Sequence, residues 1–294
     1  MSRANHLLRI EGDWDAEVNG GLLCVVGRFE PLYDDRQRLT QPLVRRNGTL
    51  QPASWDEALD LVAEHLRGAI NDNLAALITT RTTNETMTQF RKLFRALGVK
   101  KLAAVGRLPL MMGEEGKLAD LNEADFILLL GADLTKDHQV VGAFVRRAVD
   151  RGARLALVAD EDNGLAPYAA WHVGFDGLGE MVRIGGQASR PVVVCGAGLP
   201  EKVKAALAPL TGKAAFIGLA QGANSRGAVA AGLPLGEEKD TNGAKVIYVL
   251  AEDDTLDISR DGTEFVVAQA SYKGPLTERA DVVLPAPILS LIHI

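Results

Sequence analysis

Phe126-Ile127-Leu128-Leu129-Leu130 is the stretch that decides the fold class. Five apolar residues in a row, closed by Gly131, are too few for a helix and leave no polar face. A strand covered on both sides within a parallel sheet reads this way. Working outward, residues 137–150 place Val140, Val141, Phe144, Val145 and Ala148 on one helical face. Gly152 ends that helix, and residues 155–158 read as the next strand. Strand, helix and strand in that order call for a crossover connection and a parallel pair.

The alternation extends in both directions. Downstream, residues 191–195 read as a strand, 201–207 as a helix, and 214–217, 245–250, 264–268 and 281–284 as further strands. Upstream, residues 74–78 and 101–105 are strands, and 84–97 is a helix with Met87, Phe90, Leu93, Phe94 and Leu97 inward and Gly98 after it. Ser54 and Glu57 form a capping box at the head of a helix over 55–70, with Leu59, Val62, Leu66 and Ile70 apolar. Residues 1–45 carry few helix signals and read as short strands and turns, with an alternating strand pattern at 7–12. The Gly-rich, charged stretch 218–242 is the expected linker or rim loop.

With 294 residues, 30 of them Gly, 5% aromatics and 24% charged residues, the chain has the material for one large α/β domain or two smaller ones. The net charge of -6, with no basic cluster interleaved with aromatics, argues against nucleic acid as a partner. No apolar run reaches the roughly 18–20 residues of a membrane span, so direct membrane insertion is not expected. Two cysteines, Cys24 and Cys195, make no disulfide framework and suit a reducing cytoplasm.

Before the alternating body stands Asn19-Gly-Gly-Leu-Leu-Cys24-Val-Val-Gly27-Arg28-Phe29, then Arg38-Leu-Thr-Gln-Pro42-Leu-Val-Arg45, then Ser54-Trp55-Asp56-Glu57-Ala58. This order resembles the large subunits of the molybdopterin oxidoreductase family. The resemblance implies an α/β body of mostly parallel sheets with flanking helices, preceded by a short β-rich iron–sulfur domain. It makes Cys24 the fourth ligand of a [4Fe–4S] cluster whose other three cysteines would lie in a longer parent. Cys195, at the end of an apolar strand, reads as a small buried hydrophobe.

Four departures from the family pattern bear on the pterin cofactor. Residues 101–118 hold no Cys or Ser to ligate a metal, and Met111 and Met112 are weak thioether donors that suit a core. Val26 stands where the family commonly has the Lys that joins cluster to pterin. Gly131-Ala-Asp133-Leu134 replaces Gly-x-Asn-Pro, and a carboxylate there repels pyrophosphate. Ala159-Asp160-Glu161-Asp162-Asn163 replaces the nucleotide-gripping Asp-Pro-Arg-x-Thr. The pattern therefore implies a vestigial pterin fold, with molybdopterin not expected.

An iron–sulfur segment on such a body resembles the large peripheral-arm subunits of NADH:quinone oxidoreductases, as do residues 218–228 and 280–285. That branch implies electron transfer from NADH toward quinone, partner subunits of a redox complex, and a cytoplasmic location peripheral to the inner face of the membrane through those partners. A molybdenum or tungsten enzyme of the formate dehydrogenase type is the alternative, and a non-catalytic α/β binding module the third. The expected division is 1–45 for the remnant of the iron–sulfur domain and 46–288 for the body, with sub-boundaries near 125 and 240. Both ends read as cut, and the fragment alone is expected to be inactive. Residues 289–294 read as a non-native tail, because one reverse translation resembles a transposon-end sequencing adapter. Gly-rich turns at Gly131 and Gly222–Gly227 read as tight turns, His138 as a cap or surface residue, and the acidic run 251–254 as a solvated loop. Neither Trp171-His172 nor Asp56-Glu57 has a triad partner at meaningful spacing.

Overall fold

A computed structural model describes residues 2, 3, 6–16, 18–69, 73–110, 112, 113, 115–252 and 255–288. The expectations placed on Ile70, Met111, Asp253, Asp254 and residues 289–294 lie outside them. In chain order the elements are β1 (Ser2–Arg3), β2 (His6–Leu7), α1 (Val25–Phe29), β3 (Leu43–Arg46), β4 (Thr49–Pro52), α2 (Trp55–Gly68), β5 (Leu74–Thr79), α3 (Asn84–Ala96) and β6 (Lys101–Val105). There follow β7 (Phe126–Leu130), α4 (Gln139–Asp150), β8 (Arg154–Val158), β9 (Trp171–Val173), α5 (Leu178–Gly185), β10 (Pro191–Cys195), α6 (Glu201–Leu207) and β11 (Ala215–Gly218). The last are α7 (Ser225–Ala230), β12 (Leu235–Gly236), β13 (Val246–Glu252), β14 (Phe265–Ala270), α8 (Pro275–Arg279) and β15 (Val282–Pro285). The α/β class with parallel sheets and flanking helices is as the sequence implies.

The chain forms two compact units, Met1–Asp34 with Leu108–Gln221, and Asp35–Arg107 with Gly222–Ile294. The first holds a five-stranded sheet in the order β11-β10-β7-β8-β9, parallel at every pairing. Here β7 is central and its side chains alternate: Phe126, Leu128 and Leu130 join one core, Ile127 and Leu129 the other. All five are 0% exposed, which is why no polar position interrupts the run.

The second unit holds an eight-stranded sheet, β12-β6-β5-β13-β14-β15-β3-β4, parallel from β12 to β15 and antiparallel at β3 and β4. It too has a core on each face. On α2, Ser54 Oγ accepts the Glu57 N–H at 3.2 Å. The Glu57 carboxylate pairs with Arg46. Ala58, Val62 and Leu66 are buried, while Leu59 is 47% exposed, contrary to the inward face expected of it. Leu93 on α3 is likewise 52% exposed, with Met87, Phe90 and Phe94 inside. Each helix covers its sheet with a narrower stripe than its apolar residues suggest.

Two local expectations change. Of the strand expected over 7–12, Leu7 alone is paired, in a short antiparallel pair of Ser2–Arg3 with His6–Leu7, and residues 8–13 run without strand pairing. Residues 25–32, expected as turns, contain α1 and a 3-10 turn, Glu30–Leu32, with Pro31 at its start. Pro31 has its φ preset for such a turn.

Candidate functional site

Three places gather chemistry-bearing residues, and they are built differently. The first is the Cys24 turn. Gly20 and Gly21 adopt φ of 57° and 76°, conformations that glycine reaches without steric cost. The chain then extends to Cys24, which N-caps α1: its Sγ accepts the Gly27 N–H at 3.2 Å. The neighbouring Val25 N–H donates to Gln139 Oε1 at 2.9 Å, tying the turn to the head of α4. Val25, Val26 and Phe29 are exposed. Cys195 is 1% exposed at the end of β10, and burial pushes its thiol up to about 12, so it stays protonated. Among the described residues no three His, Cys, Asp or Glu are placed to hold a metal. The described residues therefore do not fit a [4Fe–4S] cluster alone; Cys24 supplies one thiolate where four are needed.

The second place is the rim at the C-terminal ends of β7, β8 and β10. The sheet order reverses at β7, with β8 on one side and β10 on the other. Open α/β sheets bind ligands at such switch points. Here close packing closes it: a Cβ on Gly196 would lie 1.8 Å from the backbone oxygen of Gly131, and one on Gly131 would lie 2.6 Å from the Leu199 side chain at Cδ2. Between the β7 and β8 loops, Asp133 Oδ1 accepts the Thr135 N–H at 3.0 Å and hydroxyl at 2.7 Å. Its Oδ2 accepts the Gly164 N–H at 3.4 Å and lies 3.3 Å from Lys136 Nζ. Burial raises the Asp133 pKa, but these donors outweigh it and hold the carboxyl below its ordinary range. Asp160 in turn accepts the Phe175 N–H at 3.1 Å. Carboxylates thus take up three loop N–H groups at this rim, the kind of donor an incoming phosphate would use. His138 has φ 56° and its Nε2 donates to Ala220 O at 3.0 Å, a bond that holds a loop. Met112 is 7% exposed within the core.

The third place, in the other unit, is the rim where β5 and β13 are neighbours. The chain runs outward from β5 through β6 and β12, and from β13 through β14 and β15, which makes this a second switch point. Side chains line it. Thr80 Oγ1 donates to Val105 O at 3.2 Å. Asn224 Nδ2 donates to Asn84 Oδ1 at 2.9 Å and to Thr82 O at 3.2 Å. Thr82 Oγ1 donates to Glu252 Oε1. Glu252 was expected in a solvated loop, yet it ends β13, is 7% exposed and has φ 48°. The reason is a register shift between Leu250 and Glu252 that turns the side chain inward. Beyond it a cavity is lined by Arg36, Glu252, Thr255, Tyr272, Lys273 and neighbours, with the Arg36 guanidinium 4.2 Å from the Tyr272 ring centre. Sequence reading missed this cluster. The hydroxyl-rich Thr79-Thr80-Arg81-Thr82-Thr83 directly after a strand was the signal available.

The profile described as molybdopterin oxidoreductase matches residues 38–288. The chain belongs to the molybdopterin oxidoreductase family. Within that family, NADH-quinone oxidoreductase subunit 3 of Thermus thermophilus is 31% identical over 342 residues, spanning 97% of this chain and 43% of that protein. Another NADH-quinone oxidoreductase subunit, from Rhizobium meliloti, is 28% identical, spanning 69% of this chain and 25% of that protein. Formate dehydrogenases and nitrate reductases are also among the relatives. The chain thus spans less than half the length of these two NADH-quinone oxidoreductase subunits. A chain of the formyltransferase/hydrolase complex of Methylorubrum extorquens superposes with a TM-score of 0.58 at 16% identity, covering 84% of this chain and 86% of that one. That likeness shows the fold. Among the described residues no helix is long and apolar enough to cross a membrane.

Proposed function

We propose that this chain is part of the large redox subunit of an NADH–quinone oxidoreductase-type complex. There it takes part in electron transfer from NADH toward quinone through iron–sulfur clusters, on a body that carries no pterin. The observation that carries the reading is the match along 97% of the chain to an NADH-quinone oxidoreductase subunit. The closed rim around Asp133 supports it. In this reading residues 1–45 are the end of an iron–sulfur domain, and Cys24 is one of four thiolates on a [4Fe–4S] cluster. The exposed Val25, Val26 and Phe29 beside it then meet the rest of that domain. Other subunits hold the body at the cytoplasmic face of the membrane.

The test is Cys24→Ser in the full-length protein, read by electron paramagnetic resonance after reduction. The expected result is loss or a changed g-tensor of one [4Fe–4S] signal with the remaining signals intact. A spectrum identical to the wild type contradicts the assignment.

The formate dehydrogenases among the relatives favour a second reading, a molybdenum or tungsten enzyme. It requires formate-dependent dye reduction by the full-length protein. A persistent zero removes it.

A further inference from the structure

We propose that Asp133 is a built-in anion: its carboxylate fills an oxyanion seat, formed by Thr135, Lys136 and Gly164, that would otherwise take a phosphate-like ligand. Four donors from two loops converge on this one side chain. They are the Thr135 N–H and hydroxyl, the Gly164 N–H and the Lys136 ammonium. Two amides, a hydroxyl and a cation form the donor set that binds a phosphate oxygen cluster as readily as a carboxylate.

The seat is held from outside the carboxylate as well. Asn163 Nδ2 donates to Ala132 O at 2.9 Å, fastening the β8 loop to the β7 loop. A Cβ on residue 164 would stand 2.2 Å from Thr135 Oγ1, so the Gly164 N–H reaches Asp133 only because that residue is glycine. The Asp133 side chain is 15% exposed, withdrawn from water into the seat. A tethered carboxylate is present at high effective concentration, and a free anion competes poorly with it. A free phosphate would also arrive beside a fixed negative charge.

Asp133→Ala should leave the iron content of the full-length protein unchanged, which separates this seat from the electron-transfer reading. The experiment is chemical rescue on the same full-length protein. Thermal melting of the wild type and Asp133→Ala is compared in chloride and in inorganic phosphate at matched ionic strength. In chloride the variant is expected to melt about 5 °C lower, the Thr135 and Gly164 donors having lost their acceptor. Tens of millimolar phosphate should restore about half of that loss while shifting the wild type by no more than about 1 °C. Asp133→Asn keeps an acceptor for the turn and guards against simple misfolding. Its Thr135 and Gly164 amide resonances should move saturably with phosphate, and those of the wild type should not. Equal phosphate response in wild type and variants overturns the proposal, as does an Asp133→Ala protein as stable as the wild type, or no response in Asp133→Asn.

Discussion

The five-stranded sheet closes the C-terminal ends of its switch strands with backbone, whereas the eight-stranded sheet lines the equivalent place with side chains. Gly131 meets Gly196 with no room for a Cβ, and Asp133 draws the next loop in. On the other sheet Thr80, Thr82, Asn84, Asn224 and Glu252 bond to one another and to backbone. One architecture therefore supplies two outcomes at the position where α/β sheets bind ligands. Whether a switch point is open depends on loop residues, while the fold only places it.

The largest expected contrast is between two glycines. Gly196→Ala forces a Cβ to 1.8 Å from a backbone oxygen. That cannot yield locally, and a loss of about 3 kcal/mol or more is expected in urea unfolding. Gly227→Ala meets Asn224 Oδ1 at 2.1 Å and Asn84 Oδ1 at 2.2 Å, both ends of side chains that can swing. A loss of about 1–2 kcal/mol is expected there. Equal costs would erase the distinction between backbone and side-chain closure.

A second contrast concerns the carboxylates. Thr82→Val leaves the buried Glu252 one donor short, at a cost of about 2 kcal/mol by chemical denaturation. If the loss is negligible, the side-chain lining is not a structural network. Ser54→Ala, away from both rims, should cost about 1 kcal/mol through its cap on α2. This sets the scale of an ordinary local defect.

The smallest effect is a pH dependence. Asp125 and Asp133 are both raised by burial, but hydrogen bonds from Ser189 and Arg190 and from Thr135 and Gly164 bring them below their ordinary value of 3.8. A lowered folded pKa means the stability is present above the unfolded value and is lost as pH falls through the folded one. Urea midpoints measured from about pH 5 down to about pH 2 should therefore fall less steeply in Asp125→Asn/Asp133→Asn than in the wild type. Parallel curves would mean the loops do not favour the charged forms.

Much of the fold was legible because its strands are short apolar runs bounded by glycine, proline or charge. Phe126–Leu130, Lys101–Val105 and Pro191–Cys195 run over the residues the pattern marks. Less visible were elements with weak local signals. Trp171–Val173 is a three-residue edge strand, and Leu178–Gly185 is a helix containing two glycines. At Cys24 a thiol does the capping that Ser or Asp usually performs, so no cap signal marked α1. The inward turn of Glu252 depends on a register shift that only strand pairing creates. At Asp133 the sequence suggested a repelling charge, and the geometry adds what that charge is bonded to. Membership of the two units, which the chain enters and leaves, depends on long-range pairing that local periodicity does not carry.

The proposed function requires that the full-length protein carry iron–sulfur clusters on a body without pterin. Elemental analysis of the anaerobically purified full-length protein tests it most directly. Iron and acid-labile sulfide with neither molybdenum nor tungsten are expected. Stoichiometric molybdenum or tungsten, or an absence of iron, would contradict it.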